Sequence, residues 1–326
     1  MKFPHLTAFV LAASAALCLP AAAQQAGFPT KPVNIITAFP PGSGPDAVLR
    51  LVSEKLSKLW GQPVLVNNKP GGGGFIAIET AQRAPADGYT LVQFDSEHLA
   101  ALPLLYKAKG YVTLNNFDPV APLFRTPFFV AVPTDSKWQN MSDLIGAAKA
   151  APTKLNYGSW GIGSPGHLGG EQLELLSGIE MTHVPYREMS QLFTSVGSGE
   201  LQWSFGSIPS SQGIYKSGKL RYIAVAAAKR VPQMPNVPTM AESGGPAGLE
   251  VNSFVALLAP KGIAADVKAK IHADVLKVLA DPEVKAKLET FAFEIITWSP
   301  DQIRQNAQAK GKIYEELVKR KNISLD

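Results

Sequence analysis

Hydrophobic and polar positions divide the chain into a leader and a long alternation of short apolar runs with helical stripes. Residues 6–19 form an apolar run broken only by small residues, preceded by the single charge of Lys2 and followed by Ala21-Ala22-Ala23. The run is short for a membrane span and ends in a small-residue cleavage pattern, so residues 1–23 read as a secretory signal peptide cut after Ala23. Residues 33–39 then have the length and character of a buried strand. Residues 47–60 place Val48, Leu49, Val52, Leu56 and Leu59 on one helical stripe that Gly61 ends. A second strand at 64–66, a glycine-rich turn, a helix at 75–83 and a third strand at 89–94 follow. This order predicts a parallel sheet with helices on both faces.

From about Pro119 the rhythm repeats without a repeat in sequence. Strands are predicted at 128–132, 155–157, 181–184, 201–205 and 220–227, with helices at 142–149, 171–176 and around 192–196. The proline-rich stretch 231–246 reads as a surface connection. A strand at 254–258 and helices at 264–279, 282–290 and 300–319 close the chain. With no domain of their own, the last helices are expected to pack on the first domain. The length exceeds what one core usually spans, which suggests two domains, 24–124 with 233–326 and 125–232.

Composition narrows the chemistry. With 46% hydrophobic and 17% charged residues the chain is an ordinary globular one, and its formal charge of +5 becomes +4 once Lys2 is removed. Basic residues are dispersed except at 319–321, which reads as a solvated helix end and not a nucleic-acid patch. Cys18 is the only cysteine and lies in the leader, where Leu17 before it does not suit a lipid anchor. A mature chain without thiols has no disulfide, thiolate metal site or cysteine nucleophile. His98, His167, His183 and His272 form no i, i+4 pair, and the glycines at 71–74 lack the Lys-Ser/Thr ending of a phosphate loop. No metal and no cofactor is expected.

Two strand-to-helix loops remain, residues 40–46 and 158–170. In open α/β sheets such loops gather helix N-termini and free amides where an anion can sit. Asp46 reads first as the N-cap of its helix. In the second loop Ser159, Ser164 and His167 invite a serine-hydrolase reading, but Tyr157 and Ile162 stand where a nucleophile elbow needs glycine. The two serines read better as hydroxyl donors to a carboxylate, and His167 as a structural hydrogen-bonder. Phe39, Trp160, Trp203 and Phe205 are aromatics near these loops with core packing as their alternative role. Trp160, flanked by loop residues, needs cover that a ligand could supply.

The segments 31–46 with Arg50, 61–75, 85–91, 157–171, 217–230, 237–244 and 279–288 together resemble the solute-binding proteins of tripartite tricarboxylate transporters, the Bug or TctC-like family. The resemblance implies an α/β, type II periplasmic-binding-protein-like fold of two domains closing over a small carboxylate. It also implies a periplasmic location, membrane transporter subunits as partners, a monomer, no nucleic acid and no catalysis. Carried over by motif, the ligand loops are Phe39, Pro41, Gly42, Ser43 and Asp46, and Ser159, Trp160, Gly163, Ser164 and His167. Gly206 stands where the family frequently has an acid, and Ser43, Pro45 and Trp160 are further departures. These departures suggest a guest apolar beyond its carboxylate, an aromatic acid or a dicarboxylate, with Arg187 available to a distal carboxylate. A sensory subunit or an exported serine hydrolase is the alternative.

Overall fold

The computed structural model describes residues 27–326, so the leader reading lies outside the described residues. The first domain begins β1 (Val33–Thr37), α1 (Gly44–Trp60), β2 (Val64–Asn68), α2 (Phe75–Gln82) and β3 (Thr90–Asp95). Three short helices follow, α3 (Ser96–Ala100), α4 (Leu102–Leu105) and α5 (Thr113–Asn116), and then the long β4 (Phe117–Pro127). The second domain holds β5 (Phe129–Pro133), α6 (Met141–Ala150), β6 (Asn156–Ser159), α7 (Pro165–Ser177), β7 (Thr182–Pro185), α8 (Met189–Gly197), β8 (Trp203–Gly206), α9 (Ile208–Lys216) and β9 (Leu220–Val225). The chain returns with β10 (Asn252–Pro260), α10 (Ala265–Leu279), α11 (Pro282–Thr290), β11 (Glu294–Ile295) and α12 (Pro300–Lys321). Among the described residues no helix is long and apolar enough to cross a membrane.

The sheets are ordered β11-β4-β10-β3-β1-β2 and β7-β6-β8-β5-β9. Each has a parallel trio, β2-β1-β3 and β7-β6-β8, so the architectural repeat is real. The sheets are nevertheless mixed and not all-parallel. β10 runs antiparallel to β3 and β4, and β5 antiparallel to β8 and β9, because the strands beside the crossings enter from the other domain. Apolar clusters cover both faces of each sheet. On α1 the stripe Val48, Leu49, Val52 and Leu56 is fully buried, each side chain contributing about 1.5–3 kcal/mol.

The chain leaves the first sheet at Phe128, whose N–H donates to Val251 O (3.1 Å), and returns at Asn252. The return therefore falls near 251, not at 232–233. The stretch 231–246 is also no mere surface connection: Val231, Met240 and Ser243 are buried, and Ser243 O accepts from Met141 N–H. Its prolines mark an irregular path, while its apolar residues cover the second sheet.

Candidate functional site

Both candidate loops leave the carboxyl end of the central strand of a parallel trio and enter a helix capped by serine. Ser43 is the N-cap of α1 and Ser164 that of α7, their hydroxyls accepting from Asp46 N–H (3.4 Å) and His167 N–H (3.3 Å). Asp46 is thus not the N-cap but sits a turn inside, 2% exposed. Its carboxylate accepts from Gly42 N–H (2.8 Å), Arg50 Nε (3.0 Å) and Asn68 Nδ2 (2.7 Å). Desolvation works against the charge, but these hydrogen bonds outweigh it and hold Asp46 below the usual carboxylate range. Asp46 therefore holds the loop in shape, and Phe39 O and Arg50 join it through Asn68.

That internal economy leaves few donors for a guest. Pro40, Pro41 and Pro45 have no N–H, and Ser43 N–H is spent on Pro40 O (3.3 Å). Gly42 N–H goes to Asp46. Gly44 N–H has no acceptor among the described residues. Pro41 and Gly42 are exposed, and Phe39 is half-buried with its ring edge-on to His98.

The second loop is shorter than its glycines suggest, because α7 starts at Pro165 and includes Gly166, Gly169 and Gly170. These glycines serve close packing. A Cβ on Gly170 would lie 2.2 Å from the Tyr157 ring, and one on Gly169 2.6 Å from Val251. Trp160 finds its cover here, its ring 2.7 Å from the Cβ position of Gly166 and tilted against Phe128 at 5.2 Å between centroids. Gly163 has φ +82 and lies against Leu105 of the first domain, close enough that a Cβ would meet Leu105 Cδ1 at 2.3 Å. That contact makes it a junction between domains.

His167 is 5% exposed and its Nδ1 accepts from Gly163 N–H (3.1 Å), which places its proton on Nε2, facing Glu171 (3.6 Å). His183, which the chain pattern did not single out, packs tilted against it at 4.1 Å between centroids and contacts Ser159 Oγ through Nε2 (2.7 Å). Ser159 is fully buried and also donates to Gly161 O (2.9 Å). Desolvation lowers both histidines, His183 to about 3, so both are neutral. Ser164 Oγ donates to Gly161 O (2.7 Å). None of these groups forms an accessible nucleophile and base: the one serine–imidazole contact is buried at Ser159. Three-dimensional contact alone reveals it, since 24 residues separate Ser159 from His183.

A third loop joins them at the end of β8. Ser207 caps α9 in a reciprocal box with Ser210, while Ile208 N–H has no acceptor among the described residues. Pro209 approaches α1 across the domains, 3.1 Å from where Gly44 would carry a Cβ. Gly206 is buried, and a Cβ there would meet the Phe193 ring at 2.6 Å, so an aromatic ring fills the direction an acid would take. Trp203 and Phe205 are fully buried in the second core and do not shape a cleft. Two surface hollows, about 430 Å³ between α1 and α11 and about 670 Å³ between α4 and α12, are lined by helices of the first domain alone.

Residues 48–323 match the family described as tripartite tricarboxylate transporter family receptor. A UPF0065 protein of Pseudomonas sp. (strain P51), from a tcbD-tcbE intergenic region, is 31% identical over 89% of this chain and 86% of its own. Among solved structures, R. palustris Rpa4515 with adipate is similar at 29% identity and a TM-score of 0.82, covering 91% of this chain and 99% of that one. MatC from Rhodopseudomonas palustris with bound malate is similar at 25% identity and a TM-score of 0.78, over 89% of this chain and 100% of that one. The chain belongs to the tripartite tricarboxylate transporter receptor family, whose members are periplasmic solute-binding proteins and not enzymes.

Proposed function

We propose that this chain captures a small dicarboxylate between its two domains and delivers it to a membrane transporter of the tripartite tricarboxylate type. The observation that carries this reading is the convergence of α1 and α9 at the domain junction, each with one backbone N–H that has no acceptor among the described residues, Gly44 and Ile208. Helix N-termini favour anions through unpaired N–H groups and the aligned peptide dipoles. Asp46, the acid nearest the first loop, is turned into its own network and keeps its charge away from the guest.

A second carboxylate fits the exposed Arg187, just beyond the end of β7, where Tyr186 N–H donates to Ser159 O (2.9 Å) and so holds this segment beside the second loop. Arg187 forms no ion pair among the described residues. Adipate and malate, the ligands of the two similar structures, are both dicarboxylates. An aromatic guest has less support, since Trp203 lies in the core and Trp160 is covered by Phe128 and Gly166.

Thermal shift and calorimetry with adipate, malate, citrate, benzoate and phthalate test this reading. Stabilisation by the dicarboxylates is expected, rising with ligand concentration as mass action requires. Preference for benzoate would overturn the dicarboxylate assignment, and no response to any carboxylate would overturn the function.

A further inference from the structure

The C-terminal helix belongs to both domains. Ile303 and Ala307 lie in the first core, and Lys310 Nζ reaches Glu97 Oε1 (2.9 Å), Ser96 Oγ (3.1 Å) and the carbonyl of Asn252, where the chain returns from the second domain. About 16 Å further along the helix axis, Lys321 meets Glu171 Oε2 (3.0 Å) and Glu174, both on α7 of the other domain. Between these points Tyr314, Leu317 and Val318 pack with Leu168 of α7 and with Leu105 of α4. Past the helix end, Leu325 N–H donates to Leu105 O (2.9 Å).

The same two carboxyls support the second loop from beneath. Glu171 Oε1 accepts from Tyr157 OH (2.8 Å) and faces His167, which in turn holds Gly163 N–H. Glu174 accepts from Met181 N–H (2.6 Å). Burial raises Glu174 even with Lys321 beside it. Lys321 is itself held above its ordinary range, because its hydrogen bonds to Glu174 and Glu171 outweigh its own desolvation. One ammonium shared by two carboxyls, one of them 4% exposed, is an arrangement in which removing the cation strands buried charge.

We infer that α12 is an interdomain strap and that Lys321 is a positioning residue: by tying α7 to the first domain it fixes the angle between the domains and the geometry of the loop around Gly163. The inference rests on the reading that the guest is gripped between the domains. A strap of this kind raises the population of the binding-competent arrangement before any ligand arrives, and apparent affinity scales with that population.

The test separates the two readings. In a Cys18→Ser background, spin labels at Leu59→Cys on α1 and Leu176→Cys on α7, both exposed positions, report the interdomain distance in the absence of ligand. Lys321→Met should shift and broaden the distance distribution, and Lys321→Arg should restore it. Adipate affinity should fall about tenfold in the Met variant and recover in the Arg variant. If Lys321→Met fails to fold, the triple variant Lys321→Met/Glu171→Gln/Glu174→Gln removes the charges together and should show the same broadening. An unchanged distribution in whichever of these variants folds overturns the strap. Failure of adipate to bind the unmodified protein counts against the dicarboxylate reading alone, because the distances are measured without ligand.

Discussion

The two loops occupy equivalent places in equivalent sheets, yet they are held by opposite means. The β1–α1 loop is organised by an ionised carboxylate, Asp46, with Arg50 half open to water at its rim. The β6–α7 loop is organised by neutral imidazoles, with His167 buried and its partner His183 kept uncharged by desolvation. Equivalent backbone geometry therefore does not imply equivalent side-chain chemistry. A serine N-cap is common to both, and the support behind the cap is free to differ.

The largest effect expected from breaking this comparison lies under the second loop. Gly170→Ala would press a methyl into the Tyr157 ring, which is stacked on Trp203 and tethered to Glu171, so it has little room to move. A loss of about 3 kcal/mol is expected in urea unfolding. Gly213→Ala is the counterpart: this glycine of α9 has no atom within 4 Å of its Cβ position, and a gain of about 0.5–1 kcal/mol is expected in the same assay.

Next comes the first loop's carboxylate. Asp46→Ala removes the acceptor of Gly42 N–H, Arg50 and Asn68 together, and a loss of about 2–3 kcal/mol is expected by the same measurement. Asp46→Asn, which retains one acceptor oxygen, should lose less. Equal losses for both would mean that the carboxylate charge, which both variants remove, holds the loop and that neither the one retained acceptor nor side-chain packing contributes.

Acid separates the supports. A histidine whose pKa is lowered on folding binds fewer protons folded than unfolded, so its contribution is full above about 6.5 and declines as pH falls toward the folded value, about 3 for His183. Asp46 is lowered from 3.8, so its contribution persists above that value and is lost only below it, through its folded pKa. Between about pH 6 and 4, His183→Gln should therefore flatten the fall of unfolding free energy, whereas Asp46→Asn should leave that slope unchanged. Glu171 faces His167 and is itself paired with Lys321, which also holds Glu174, so the slope is to be compared between variants and not assigned to one group in isolation.

The smallest expected effect concerns the shared element. Ser43→Ala and Ser164→Ala each remove an N-cap acceptor and should each cost about 1 kcal/mol in unfolding free energy. If Ser164→Ala costs nothing in stability but lowers adipate affinity, the hydroxyl faces the guest and not the helix.

Much of the architecture was legible in the chain itself. Apolar periodicity placed β1, α1, α2, β3, α10 and α11 within a few residues, because each buries one continuous face. The start of α7 was not legible: glycine usually weakens a helix, and only the approach of Tyr157, Val251 and Trp160 explains three of them in its first turns. Nor was the mixed sheet, since antiparallel pairing at the crossings joins strands distant in the chain, β4 and β10 being more than 100 residues apart.

What the sequence determined alone is the alternation of elements, the glycine and serine chemistry of the two loops and, through its motifs, the family. Those properties depend on local backbone preference and on the order of residues. The tertiary structure decided which groups are spent and which are free. Asp46 turned inward, His167 and His183 met across the second domain, Trp203 went to the core, and Lys321 crossed to α7. Whether a polar group serves the fold or a guest depends on the partners that folding brings within hydrogen-bonding distance, and those come from distant parts of the chain.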